Sequence, residues 1–112
     1  MTTDAMRDEL ARVLGWFYHP WGNGGGGWTR KARRPKPDEP YEVAHPINGT
    51  LDQLAGLWKE HAKGWEWGKS LDTGKWYAEN AETGLSVSIE DTGDEYRDRL
   101  ALLLAVVKAG GG

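Results

Sequence analysis

An α+β fold, a three-stranded antiparallel β-meander packed by helices into a small αβ sandwich, is what this sequence predicts. Three observations carry the prediction. Residues 64–95 alternate apolar and polar side chains, and two glycine-bearing turns cut the stretch into three short strands. Apolar stripes of helical spacing lie near both ends of the chain. A capping box, Thr50 followed by Gln53, opens a further helix between them. The order is α, long loop, α, β, β, β, α, in a single domain over residues 1–112.

The first helix is expected to start at Thr3 as N-cap, with Asp4 beside the positive end of the helix. Met6, Leu10, Val13, Leu14 and Phe17 then form one apolar stripe. Gly15 ends the helix, and Pro20 cannot lie inside it. From Trp16 to Asn48 neither a helical nor a strand period is sustained. Within that span, residues 22–40 read as a flexible insertion of glycines, basic residues and prolines, with aromatics packing its ends. The second helix runs from Thr50 to about Lys63, with Leu51, Leu54, Ala55, Leu57, Trp58 and Ala62 on its apolar face and Gly64 as C-cap.

In the meander, Trp65, Trp67 and Leu71 fall on one side of the first strand, Trp76 and Ala78 on that side of the second, and Leu85, Val87 and Ile89 on that side of the third. Asp72-Thr73-Gly74 and Glu82-Thr83-Gly84 supply the turns. The other face, with Glu66, Tyr77, Glu79, Ser86 and Ser88, is polar. Thr92 and Glu95 form a second capping box, which opens a helix carrying Tyr96, Leu100, Leu103, Leu104 and Val107 in one stripe. Glu95 is placed to pair with Arg99, and residues 110–112 are expected to fray.

The net charge of −3 makes no global electrostatic case for nucleic acid or anionic lipid, and it disfavours a duplex as partner. The absence of cysteine removes disulfides, thiol catalysis and thiolate metal sites. No apolar run approaches the ~20 residues of a membrane span. The N-terminal residues hold no apolar signal-peptide core, so a soluble, cytoplasmic protein with no membrane partner is expected. His19, His45 and His61 match no metal-ligand spacing, and no serine lies in a nucleophile elbow. Asp94 and Asp98 read as servants of a helix cap and dipole. The expectation is therefore no enzymatic activity, no cofactor and no metal.

Seven tryptophans are more than a core of this size needs. Trp58, Trp65, Trp67 and Trp76 hold periodic positions and read as core. Trp16, Trp21 and Trp28 do not. They are ligand candidates, because a rigid aromatic plane beside glycine and arginine can stack on a base or anchor a partner. Residues 22–27 spell G-x-G-x-x-G, but without the strand before and helix after that dinucleotide binding requires. They read as a flexible loop, or as amides, those of Gly24 and Gly25 among them, that approach an anion. Residues 28–36 hold five of the fourteen basic residues. Arg30, Arg33 and Arg34 suit phosphate, the alternative being a solvated loop.

Gly64, Trp65 and Trp67 after a helix, Trp76 on the next strand, and Asp91, Thr92, Arg99, Ala101, Leu102, Leu103 and Ala105 in the closing helix form a pattern that resembles the phage ABA sandwich domain. The resemblance covers residues 47–107. It implies a phage or prophage origin and a small αβα-type fold, and it brings no catalytic residues. The insertion at 22–40 and the polar outer sheet face depart from the family pattern, so the third layer is either partial or missing. Together these readings predict a non-enzymatic binding protein that sequesters a nucleotide-like defence signal, such as ADP-ribose or a cyclic nucleotide. Tryptophan would stack the base, and arginines and glycine amides would hold phosphate. Two alternatives stand beside it: a protein–protein inhibitor of a host defence protein, and an accessory domain that forms homo-oligomers through its loop aromatics.

Overall fold

The structure, a computed structural model, describes residues 2–20, 25–33, 35–36 and 45–111. It is the expected α+β fold, with one addition. The elements are α1 (Thr3–Val13), β1 (Phe17–Pro20), β2 (Gly26–Thr29), α2 (Leu51–His61), β3 (Trp65–Lys69), β4 (Trp76–Asn80), β5 (Ser86–Ile89) and α3 (Glu95–Val106), which runs on into a wide turn over Val107–Gly111. β3, β4 and β5 form the antiparallel meander, and β1 and β2 form a separate antiparallel hairpin.

α1 is capped by Thr2, one residue before the expected Thr3; its hydroxyl accepts from the Ala5 amide at 3.1 Å. The helix ends in a Schellman motif. Trp16 N–H bonds to the Ala11 carbonyl, Gly15 N–H bonds to that of Arg12, and Gly15 sits at φ +97°. Met6, Leu10 and Ala11 are the residues α1 buries, whereas Val13 is exposed and Phe17 has left the helix for β1. In α2 the Thr50 hydroxyl accepts from the Gln53 amide, as a capping box requires. The Gln53 side chain reaches further back, to the Asn48 amide and the Pro46 carbonyl, and Asn48 serves the Thr50 amide instead. α2 stops at His61, two residues short of Lys63, and Leu54 is its one buried residue.

The two turns of the meander repeat one device. Gly74 N–H bonds to the Ser70 carbonyl and Gly84 N–H to that of Asn80, with Gly74 at φ +71° and Gly84 at φ +74°. The hydroxyls of Thr73 and Thr83 accept from the amides of Lys75 and Leu85. Leu71 therefore lies in a turn, fully exposed, and not on the inner face where strand alternation would put it. Leu85 likewise precedes β5 and stays two-fifths exposed. On the inner face Trp65, Trp76 and Ala78 are buried. Trp67 bridges Trp58 and Trp76, with ring centroids 5.8 and 6.1 Å away, and carries the Arg99 guanidinium 4.7 Å over its ring. Arg99 thus turns to Trp67 instead of Glu95.

α3 buries Leu100, Leu102, Leu103, Leu104 and Val106, on more of its circumference than one stripe. A helix buried nearly all round is a central one. α3 lies against the meander on one side and against α1 and α2 on the other. Its N-cap is Asp94, accepting from the Arg97 amide, so the second capping box is displaced from Thr92. Thr92 serves Asp98, a carboxylate only 2% exposed that also accepts from the Trp76 indole N–H at 3.1 Å. Asp98, an acid in the first turn of α3 as expected, is thus a core tie as well.

Lys69 pairs with Asp91, and this contact, with the Gly93 amide, lowers the Asp91 carboxyl from 3.8 to about 2. A depressed folded-state pKa stabilises the fold above the ordinary carboxylate range, and the contribution is lost as pH falls towards the depressed value. Lys69→Ala is expected to return the Asp91 titration towards 3.8, read by carboxyl-carbon NMR. An unchanged titration would show that Gly93 holds the carboxylate by itself.

The outer face of the meander, with Glu66, Tyr77, Glu79, Ser86 and Ser88, is covered by no layer among the described residues. The described residues give the sandwich two layers there. No helix among the described residues is long and apolar enough to cross a membrane.

Candidate functional site

The span from Trp16 to Asn48 is not structureless. The Schellman motif turns the chain at Gly15, and β1 leaves α1 to pair with β2 in the register Phe17 with Thr29, Tyr18 with Trp28, His19 with Gly27 and Pro20 with Gly26. Gly26 and Gly27, the last two glycines of the run, are strand residues, and no helix follows directly on their strand among the described residues, whereas the dinucleotide fingerprint places its glycines between a strand and a helix. Tyr18 explains one of these glycines. A Cβ on Gly26 would meet the Tyr18 hydroxyl at 2.2 Å, so glycine lets the end of the tyrosine ring approach the β2 backbone.

Trp28, expected in a loop with a face for ligand, is 2% exposed. Its cross-strand partner Tyr18 lies with ring centroid 5.3 Å away, His45 at 5.1 Å, and the Arg12 guanidinium 5.5 Å from the indole. Strand alternation turns it towards α1 and into the core. Trp28 thus builds the wall of a site and offers no free face.

After β2 the chain curls back over the other face of the hairpin. Thr29 Oγ1–H donates to the Lys31 carbonyl at 2.9 Å, and the Lys31 amide donates back to the Thr29 hydroxyl. His19 Nε2 lies 3.1 Å from the same carbonyl, which can only accept, so Nε2 carries the proton. Both His19 and Thr29 are buried beneath this turn. It places Arg30 with its guanidinium 4.5 Å over the Trp16 ring and leaves Lys31, Ala32 and Arg33 at the surface.

An open cleft of about 450 Å³ results, lined by Arg12, Trp16, Phe17, Tyr18, His19 and Ala32. Of the expected ligand residues, the structure brings Trp16 and Arg30 together here, with Arg33 following on the same turn; Gly25 precedes β2. Trp21, Gly24 and Arg34, and most of the expected insertion at 22–40, lie outside the described residues. Arg12, Phe17, Tyr18, His19 and Ala32 are the lining residues that spacing did not nominate as ligand contacts. The signal for Arg12 was present, since it precedes Trp16 by four residues at the end of a helix.

The chain returns to α1 at residues 45–47. His45 Nδ1 accepts from the Ile47 amide at 3.0 Å and Nε2–H donates to Asp8 at 2.8 Å, while Arg7 donates twice to the Ile47 carbonyl. Both nitrogens of this Asp–His pair are occupied, so it presents no base to a substrate. Among the described residues no group of three His, Asp or Glu stands close enough to hold a metal ion.

In comparisons with known proteins, no family model, no curated protein and no solved structure matches the chain.

Proposed function

We propose that this chain is a non-enzymatic binding protein whose cleft between α1 and the hairpin takes a nucleotide-like anion. The observation that supports this reading is the arrangement of aromatic planes and guanidinium groups around one cavity. Phe17 and Tyr18 are 42% and 41% exposed at its wall, Arg12 stands on α1, and Arg30 lies across Trp16. Aromatic faces suit bases, and arginine forks suit phosphate oxygens. Trp16 supplies the stack and Arg30 and Arg33 the phosphate contacts, with Trp28 as the rigid wall behind Tyr18. The resemblance to the phage ABA sandwich suggests a purpose for such binding, capture of an ADP-ribose-type or cyclic nucleotide signal of host defence.

Calorimetry against a panel of those nucleotides tests the reading. At least one is expected to bind with sub-millimolar Kd, and Arg30→Ala with Arg33→Ala is expected to weaken it about tenfold or more, since charged hydrogen bonds are worth roughly 1.5–3 kcal/mol each. Absence of any binding tighter than millimolar sinks it.

A second reading, a protein–protein inhibitor, rests on the bare outer face of the meander. Glu66 stands directly opposite Glu79 across β3 and β4. Like charges so placed oppose strand pairing, and a cationic partner surface would relieve them. Glu66→Gln with Glu79→Gln should then abolish capture of a host protein while leaving nucleotide binding intact.

A further inference from the structure

We propose that the outer face of the meander carries a second binding site, a groove that takes a pyranose saccharide without acidic groups. The site goes beyond the nucleotide reading and is independent of it, since the groove shares no lining residue with the cleft beside α1.

The groove is open, with a volume of about 420 Å³, and its lining includes Tyr77 and Glu79 of β4, Ser86 and Ser88 of β5, and Ser70 and Thr73 between β3 and β4. The register puts the strand residues on one face. Tyr77 stands opposite Ser88 and Glu79 opposite Ser86, and residues directly opposite in a ladder share a face. Tyr77 and Glu79 are two residues apart, about 7 Å along the strand, so both also point the same way. The inner face of the same strand takes Trp76 and Ala78 into the core.

Tyr77 supplies a plane. Its cross-strand neighbour on β3 is Gly68, and a Cβ there would lie 3.2 Å from the tyrosine hydroxyl and 3.4 Å from two ring carbons. The ring therefore leans over β3, where the glycine makes room, and away from β5. That lean opens the space above Ser86 and Ser88, and Tyr77 stays 39% exposed beside it. The electron-rich face of an aromatic ring attracts the positive ends of C–H bonds, and one face of a pyranose is a row of such bonds.

Hydroxyl groups surround the plane. Ser86 and Ser88 make no side-chain hydrogen bond among the described residues. The hydroxyls of Ser70 and Thr73 accept from the amides of Thr73 and Lys75, both at 3.3 Å, and each O–H remains to donate. An ionised Glu79 only accepts, which suits the hydroxyl hydrogens of a sugar. Donors and acceptors placed around one apolar plane match a polyhydroxylated ring with one apolar face.

Charge narrows the class. Glu66 lies directly opposite Glu79 on the same face, and no cation lines the groove among the described residues. Lys75, two residues before Tyr77, is held by Glu90 at 3.1 Å. Phosphates, sulfated glycans and uronic acids are repelled by this charge, whereas neutral and amino sugars are not. A lipid would find one ring among hydroxyls and carboxylates, too little apolar surface to drive its burial. A basic peptide, the partner of the inhibitor reading on this same face, needs the carboxylates but not the serine hydroxyls.

Titration of isotope-labelled protein with cellohexaose, maltohexaose and chitohexaose, followed by NMR, tests the proposal, with hexagalacturonate and hexalysine beside them. At least one of the three neutral saccharides is expected to bind with a Kd below about 1 mM. It should move the amide signals of residues 77–79 and 86–88 and leave those of 16–19 in place. Tyr77→Phe keeps the plane and is expected to bind as the parent does, whereas Tyr77→Ala is expected to weaken binding about tenfold. Should Tyr77→Ala fail to fold once Gly68 loses its cover, Ser86→Val with Ser88→Val, in a strand that accepts β-branched residues, is expected to bring a similar loss of about tenfold. Absence of saccharide binding tighter than about 1 mM overturns the proposal, and so does equal affinity for hexagalacturonate. Equal affinity for hexalysine, or a serine variant that binds saccharide undiminished, also overturns it. Shifts confined to residues 16–19 overturn it by moving the sugar into the other cleft. The nucleotide panel reads that cleft separately, so either site can fail without the other.

Discussion

Replacing Asp98 by alanine is expected to lower stability by about 2–4 kcal/mol, a shift in Tm on the order of 10–25 °C for a domain of this size. The carboxylate is buried in α3 and ties three parts of the fold together. One oxygen accepts from the Trp76 indole at 3.1 Å and from the Thr92 amide at 3.0 Å, and the other accepts from the Thr92 hydroxyl at 2.6 Å. Alanine leaves the buried indole N–H without an acceptor and frees the chain between β5 and α3. The groups of Thr92 can turn to water, so the loss stays below the sum of three bonds.

Asp98→Asn separates geometry from charge. Its carbonyl oxygen can take the place of the oxygen that serves Trp76 and the Thr92 amide. Its NH2 can then donate to the Thr92 hydroxyl, which accepts as readily as it donates. The expected loss is less than half that of alanine, measured by urea denaturation followed by circular dichroism. Equal losses from both variants would show that the site requires the negative charge itself.

Asp98 also shows where sequence reasoning reached its limit. Periodicity made the helices and the meander legible, because alternation and the 3.6-residue repeat are direct consequences of backbone geometry. The same reasoning gave Asp98 to the helix dipole, since an acid in the first turn usually serves it. Its position four residues before Leu102, on the inward side of a helix with few outward positions, was the available contrary signal. The hairpin was harder to read. β1 spells Phe-Tyr-His-Pro and β2 Gly-Gly-Trp-Thr, four residues each, one closing on a proline and the other opening on two glycines. Each mixes strand-favouring residues (Phe and Tyr, Trp and Thr) with a proline or two glycines that disfavour a strand, so composition alone decides neither. What makes them strands is tertiary: the turn at Gly15 aims β1, Tyr18 lies on Gly26, and Trp28 sinks against α1. The tryptophan at the centre of that arrangement therefore looked like a loop residue.

Trp28→Ala is accordingly expected to cost about 3–5 kcal/mol, the range for emptying a buried tryptophan site. Against a total of roughly 5–15 kcal/mol, that is a large share of the stability of the fold. The ring fills the space between the hairpin and α1, and it touches Tyr18, His45 and Arg12. Its loss therefore releases the wall of the cleft and the return of the chain at His45 together. Ligand affinity should fall with stability, because Phe17 and Tyr18 keep their places only while β1 is held by β2. Trp16→Ala provides the contrast. Trp16 is partly exposed and stacked by Arg30, so its removal should shift the denaturation midpoint little and still weaken ligand binding. Denaturant titration and calorimetry on the two variants place the residues on different axes, Trp28 on stability and Trp16 on recognition. A Trp28→Ala protein within about 0.5 kcal/mol of the parent, the scatter of ordinary surface substitutions, would mean that the hairpin is not part of the core, and the cleft built on it would lose its foundation.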